Sequence, residues 1–212
     1  MDINTERIRK RYDRIAYLYD YLEKPMENMV LRKWRIHLFQ EVKGKVLEVG
    51  VGTGKNIEHY HDAIEVTAID FSHKMLLIAE KRAENLGKNV DLKEMDVQCM
   101  TFSDNTFDFV IATCVFCSVP DPVKGFVEIG RVLKPQGKVF LIEHVRSEDK
   151  LLGFLMDVMN PLVVNFYGAN INRRTEENIK KSNLGQIKVT NLWGDIVKII
   201  EITKLNVIQC LR

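Results

Sequence analysis

A chain of 212 residues is long enough to bury a substantial core in one domain, or in a domain with a cap. Its 46% hydrophobic and 28% charged residues are ordinary for a globular protein, and a net charge of +2 selects no class of partner. The first eleven residues are polar and charged, unlike a signal peptide, and no apolar run reaches the length of a membrane span, so the expected location is cytoplasmic. Cys99, Cys114, Cys117 and Cys210 are too few and too oddly spaced for a disulfide scaffold.

Residues 5–22 predict an amphipathic helix, with Ile8, Tyr12, Ile15, Tyr19 and Leu22 at three- and four-residue spacing and Arg7, Arg9, Lys10, Arg11 and Arg14 crowding its start. Such a basic helix suits a surface packed on the domain, a lid, or contact with anionic lipid headgroups. Pro25 is expected to break it. A second helix over 26–42 should turn Met29, Trp34, Leu38 and Val42 towards the core before Gly44 ends it.

The chain is organised around residues 46–54, VLEVGVGTG. Val46, Leu47 and Val49 read as a strand covered on both faces, and Gly50, Gly52 and Gly54 release it into a tight turn, with a helix expected over 55–61. The spacing is GxGxG, with Lys55 where a dinucleotide fingerprint has its third glycine. Glu48, two residues before the turn, would repel a pyrophosphate and suits a cationic group, which it can hold directly or through water.

A second strand over 66–70 ends in Asp70, 16 residues past Gly54, near the interval at which α/β nucleotide folds place an acid on ribose hydroxyls. Two adjacent hydroxyls can donate two hydrogen bonds to one carboxylate. Ser72 is expected to cap a helix that Gly87 stops. A third strand over 90–95 ends at Asp96, so Glu48, Asp70 and Asp96 close three strands in turn and should converge on one crevice.

Residues 107–113 make a fourth strand, followed by CVFCSVPDP, residues 114–122. No second CxxC or paired-His spacing supports zinc, and this pair leaves a strand rather than opening a helix as a redox dithiol does, so the thiols are read as apolar lining. Phe102 and Phe107 flank a polar turn, 103–106, and are expected to be packing residues. A helix over 123–133 and a fifth strand over 139–142 follow, then Glu143 and His144, where a neutral imidazole could take a proton from a nucleophile.

Residues 151–168 are rich in Leu, Val, Phe and Met but interrupted by Asp157, Asn160 and Pro161. They predict a helix packed on the sheet or an apolar wall capping the acceptor side. Arg173 and Arg174 end a loop able to present two cations. A helix over 175–184 stopping at Gly185 and an antiparallel hairpin, 187–193 and 196–203, complete the chain. The sum is a doubly wound, mostly parallel α/β sheet of seven strands with one reversed strand.

The run 48–54, an acid, an apolar residue and GxGTG, resembles the first motif of the class I S-adenosylmethionine-dependent methyltransferases, and GRVLKPQGKV resembles their motif before the fifth strand. YDRIAYLYD, LEVGVGTG and SVPDP are similar to phospholipid N-methyltransferases. FCSV, EHV and GANINR are similar to alkyl thiol methyltransferases, both near the ubiquinone/menaquinone-biosynthesis type (methyltransferase type 11).

The resemblance implies S-adenosyl-L-methionine as cofactor on the Rossmann-like methyltransferase fold, with residues 1–44 as a helical lid, 45–212 as the catalytic domain and 147–174 as an acceptor-side cap. It implies a cofactor set of Tyr12, Glu48, Gly50, Gly52, Thr53, Gly54, Asn56, Asp70, Phe71, Met75, Asp96, Val97, Thr113 and Cys114, with Asp96 and the Val97 amide at the adenine. His144 and Tyr19 are the catalytic candidates, and no metal is expected. The acceptor it implies is a phospholipid amine first, then a small alkyl thiol or a quinone precursor. Peripheral contact with the inner membrane surface would run through the first helix. A non-catalytic nucleotide-binding scaffold is the reading from another class, and nucleic acid is not an expected partner, since no Asn/Asp-Pro-Pro-aromatic motif follows the fourth strand.

Overall fold

The computed structural model describes residues 3–205; Cys210 and the end of the expected 45–212 domain lie outside them. A seven-stranded sheet has the order β3-β2-β1-β4-β5-β7-β6. Its strands are β1 (Gly44–Val49), β2 (Ile64–Asp70), β3 (Asp91–Glu94), β4 (Phe107–Thr113), β5 (Leu133–His144), β6 (Gly185–Trp193) and β7 (Val197–Lys204). The first five run parallel, and β7 alone is reversed, antiparallel to both β5 and β6. The order reverses direction between β1 and β4, which opens a crevice at their carboxyl ends.

Strand alternation sorts the core into two layers. Leu47, Val49, Val110, Ala112, Val139 and Leu141 face α4 (Pro122–Val132) and α6 (Thr175–Ser182). Val46, Val66, Ala68, Ile111, Phe140 and Ile142 face α2 (Arg32–Gln40) and α3 (His73–Leu86). Each fully buried aliphatic or Phe side chain contributes about 1.5–3 kcal/mol. Ser72 caps α3, accepting from the Met75 N–H, and Gly87 ends it at φ 61°. Phe102 and Phe107 meet edge to face at 5.1 Å.

Several elements differ from the sequence expectation. Pro25 does not break the first helix: α1 runs Ile3–Met26 with Pro25 inside it and passes through a π-helical turn, Glu27–Leu31, into α2. The extra residue in that turn follows directly on the proline and keeps the helix going. Met29 points outward, 67% exposed. After the glycines there is no α-helix, only turns and a 3-10 turn, Ile57–His59, in place of the helix expected over 55–61. The last helix stops at Asn183, in left-handed conformation, and Gly185 instead opens β6.

The largest difference is α5 (Lys150–Tyr167). It does not pack on the sheet. Of its residues only Gly153 and Met156 are buried.

Candidate functional site

The crevice lies where β1 and β4 part, roofed by α1. One chamber, about 50 Å³, is lined by Tyr12, Tyr19, Gly50, Gly52, Asp70, Phe71, Met75, Thr113, Cys114, Val115 and Ser118. A second, about 20 Å³, shares Gly50, Asp70, Phe71 and Val115 and continues past Asp96 and Val97 to Thr5 and Val119. Eleven of the sixteen candidate residues therefore line one crevice: nine border the first chamber, and Asp96 and Val97 border the second.

The floor comes from the end of β1. Gly50, Gly52 and Gly54 all have positive φ, which favours glycine. The Gly52 N–H donates to Asp70 Oδ2 at 2.9 Å and the Ser72 N–H donates to Oδ1 at 2.8 Å, so two backbone amides aim the carboxylate. Burial still pushes the Asp70 pKa up to about 6 against those bonds. Asp96 turns partly back on its own loop, accepting from the Gln98 backbone and side chain.

Glu48 does not join Asp70 in the crevice. Alternation puts it on the Val46 face of β1, 2% exposed, where the Tyr60 hydroxyl donates to it and Asn56 Nδ2 donates at 3.0 Å. Burial pushes its pKa up to about 7, opposed by those two bonds. Asn56 sits behind it, also bonded to Thr113 Oγ1 and accepting from Arg35 at 2.8 Å, and buried Arg35 forms a bidentate pair with Glu27 of the π turn. Glu48 and Asn56 thus support the turn from beneath. Gly54 is a packing position too: a Cβ there would stand 2.6 Å from Ile57 Cδ1 and 3.2 Å from Ala79 Cα.

The roof is held by side chains. Tyr12 shares a short hydrogen bond with Ser118, Asp13 accepts from the Ser72 hydroxyl at 2.6 Å, and Asp20 accepts from Thr53 at 2.6 Å and pairs with Arg82. Glu23 pairs with Lys55 at 2.9 Å. Tyr12 lies 5.8 Å from Phe71 and 6.1 Å from Tyr19, ring to ring, and burial holds both phenols protonated. Thr53 is covered by α1 and borders neither chamber.

On the β4 side, Cys114 is held at positive φ, and burial pushes up both thiols, Cys117 to about 12. They stay neutral lining. Glu143 fixes this loop by accepting from the Val115 and Phe116 amides, at 3.0 and 3.1 Å. His144, at the end of β5 opposite Val197, borders neither chamber; burial lowers its pKa and keeps it neutral. Arg173 and Arg174 do not form an open pair of cations: Arg173 donates to the Cys117 and Val119 carbonyls, and Arg174 pairs with Glu177.

Sequence reasoning missed Ser118, Val115, Asp13, Asp20, Arg35 and Glu143. For Glu48 the signal was available, because period-two alternation already set it opposite Leu47 and Val49.

The residues present fit S-adenosylmethionine. A buried carboxylate held by backbone amides suits the ribose, and three aromatic rings suit a sulfonium cation, while among the described residues no Lys or Arg borders the two chambers to take a phosphate. Ligand pockets usually enclose about 300–1,000 Å³, and the two chambers under α1 are smaller than that.

Residues 47–141 match the methyltransferase domain family. The chain is 35% identical over 144 residues to phosphatidylethanolamine N-methyltransferase of Cereibacter sphaeroides, covering 67% of this chain and 70% of that one. It is 29% identical over 214 residues to demethylmenaquinone methyltransferase of Lactobacillus johnsonii, covering 92% and 86%. A solved S-adenosylmethionine-dependent methyltransferase from Thermotoga maritima superposes with a TM-score of 0.71 at 20% identity, covering 92% of this chain and 99% of that one. The chain belongs to the class I S-adenosylmethionine-dependent methyltransferases, and S-adenosylmethionine is its cofactor.

Proposed function

We propose that the chain methylates the amine of a phosphatidylethanolamine-type phospholipid, working as a peripheral protein at the inner membrane surface. The carrying observation is the 35% identity to a phosphatidylethanolamine N-methyltransferase over 67% of this chain. The bound cofactor supplies a methyl group already activated on a sulfonium. The chain's own task is then to position the acceptor in line and exclude water. Asp70 orients the ribose, Phe71 and Val97 flank the adenosine, and Tyr12 and Tyr19 close the crevice from α1, which acts as the lid. The acceptor approaches from the loop at 114–119, whose lining is neutral and apolar. Among the described residues no helix is long and apolar enough to cross a membrane.

A second reading, methylation of a quinone precursor, is favoured by the demethylmenaquinone methyltransferase match, which spans 92% of this chain. Carbon acceptors need a base, and His144 is the candidate there. Labelled methyl transfer from S-adenosylmethionine to phosphatidylethanolamine vesicles, a quinol precursor and a short alkyl thiol separates the readings. Labelled lipid supports the first. Labelled quinol with a loss of turnover but not of cofactor affinity in His144→Ala supports the second, and a labelled thiol refutes both.

A further inference from the structure

The polarity of α5 is inverted. Asp157 accepts from Arg146 and Asn172, Asn160 bonds Asn170 and the Ile171 amide, and Tyr167 reaches Glu23, so these three polar side chains are engaged with the protein, while Asn165 is exposed on the outer face. Leu151, Phe154, Leu155, Val158, Leu162 and Phe166 are between 47% and 83% exposed. At 100° per residue they fall within one arc of roughly 120°, and no charged residue interrupts it. Single exposed apolar residues are common on proteins; a whole helix face of them marks an interaction surface.

The face continues onto α1. Arg11 donates to the Val164 carbonyl at 2.7 Å and Tyr19 stacks on Tyr167, which sets the end of α5 against α1. Leu18 and Leu22 follow Arg11 at helical spacing and are exposed, as are Tyr17 and Tyr21. Charge on α1 is segregated: Asp13, Asp20 and Glu23 are tied to the domain beneath, whereas Arg7, Lys10 and Arg14 lie outward. Lys150 is exposed at the start of α5. An apolar arc beside outward cations, with aromatic residues between, is the pattern of a helix lying in the interface of an anionic membrane.

We propose that the outward face of α5, with the adjoining turns of α1, docks on an anionic phospholipid bilayer, α5 lying in the plane of the interface. The inference rests on the phospholipid reading for its purpose, and it gives α5 rather than α1 the inserting role. The helix also connects to the acceptor side. Its following loop donates to the Cys117 carbonyl through the Asn170 amide at 2.8 Å and side chain at 2.9 Å, so docking places the loop at 114–119 beside the lipid.

The test is co-sedimentation with phosphatidylcholine vesicles with and without phosphatidylglycerol, comparing the full chain with Leu155→Asp/Leu162→Asp and with Arg7→Glu/Arg14→Glu. The partition coefficient should fall more than about tenfold in the first variant. In the second, only the gain from phosphatidylglycerol should fall. Cofactor affinity, measured by calorimetry, should be unchanged in both. Equal vesicle binding by the Asp variant and the unaltered chain would overturn the proposal, as would a dimer in solution that the Asp variant converts to monomer. Methyl transfer to a dispersed short-chain phosphatidylethanolamine distinguishes the two readings: transfer without vesicle binding overturns docking alone, and vesicle binding without transfer to lipid in any form overturns the phospholipid reading alone.

Discussion

The floor and the roof of the crevice are built by opposite means. Asp70 is aimed by the amides of Gly52 and Ser72, and the glycine turn beneath it is braced by buried Glu48, Asn56 and Arg35, the last paired with part-buried Glu27. The roof, α1, is tied by side chains: the buried Tyr12–Ser118 bond and part-buried pairs such as Asp20 with Arg82 and Glu23 with Lys55. Backbone bonds and buried networks fix geometry, while partly exposed ion pairs are each worth less than about 1 kcal/mol. On the proposed lid reading, the cofactor would meet a floor fixed by backbone bonds and a cover held by side chains.

The largest expected effect is on the brace. Arg35→Ala removes the bidentate partner of part-buried Glu27 and the donor to buried Asn56, and should cost about 2–4 kcal/mol. Calorimetric melting should show a fall of roughly 10 °C for a chain of this size; a fall below roughly 2 °C would show that the floor does not depend on this pair. Next come the glycines. Gly54→Ala should cost about 1–3 kcal/mol from crowding against Ile57 and Ala79, whereas Gly52→Ala, whose nearest neighbour is a carbonyl at 4.0 Å, should spare more of the fold and impair cofactor binding instead.

The acid on the floor adds a pH signature. The folded-state pKa of Asp70, about 6, lies above its unfolded value, so its share of stability is full below that unfolded value and is lost as pH rises through about 6. Binding runs the other way. On the proposed ribose assignment the ionised carboxylate is the acceptor, so affinity should weaken as pH falls below about 6, and Asp70→Asn should flatten that profile in titration calorimetry. The smallest effect belongs to the roof: Asp20→Asn should change stability by less than about 1 kcal/mol and speed cofactor association a few-fold in stopped-flow fluorescence. An unchanged association rate would mean that α1 does not gate entry.

Legibility in the sequence follows the same division. The strand at 107–113, the Ser72 cap, the Gly87 stop, the hairpin and the position of Asp70 were readable because each rests on local periodicity or on a residue with special backbone chemistry. What was not readable depends on distant partners. Glu48 follows a crevice motif yet bonds Tyr60, and Arg173 sits in a basic loop yet turns inward to the Cys117 and Val119 carbonyls. The apolar run at 151–166 carries the composition of a core helix. Only the absence of a packing partner on its outer face, among the described residues, reveals it as surface.

The most direct test of the account is titration of S-adenosylmethionine into the unaltered chain and Asp70→Ala at neutral pH. The account predicts a loss of roughly tenfold to a hundredfold in affinity, the worth of hydrogen bonds to a charged acceptor. Equal affinities would contradict it, placing the ribose away from the end of β2.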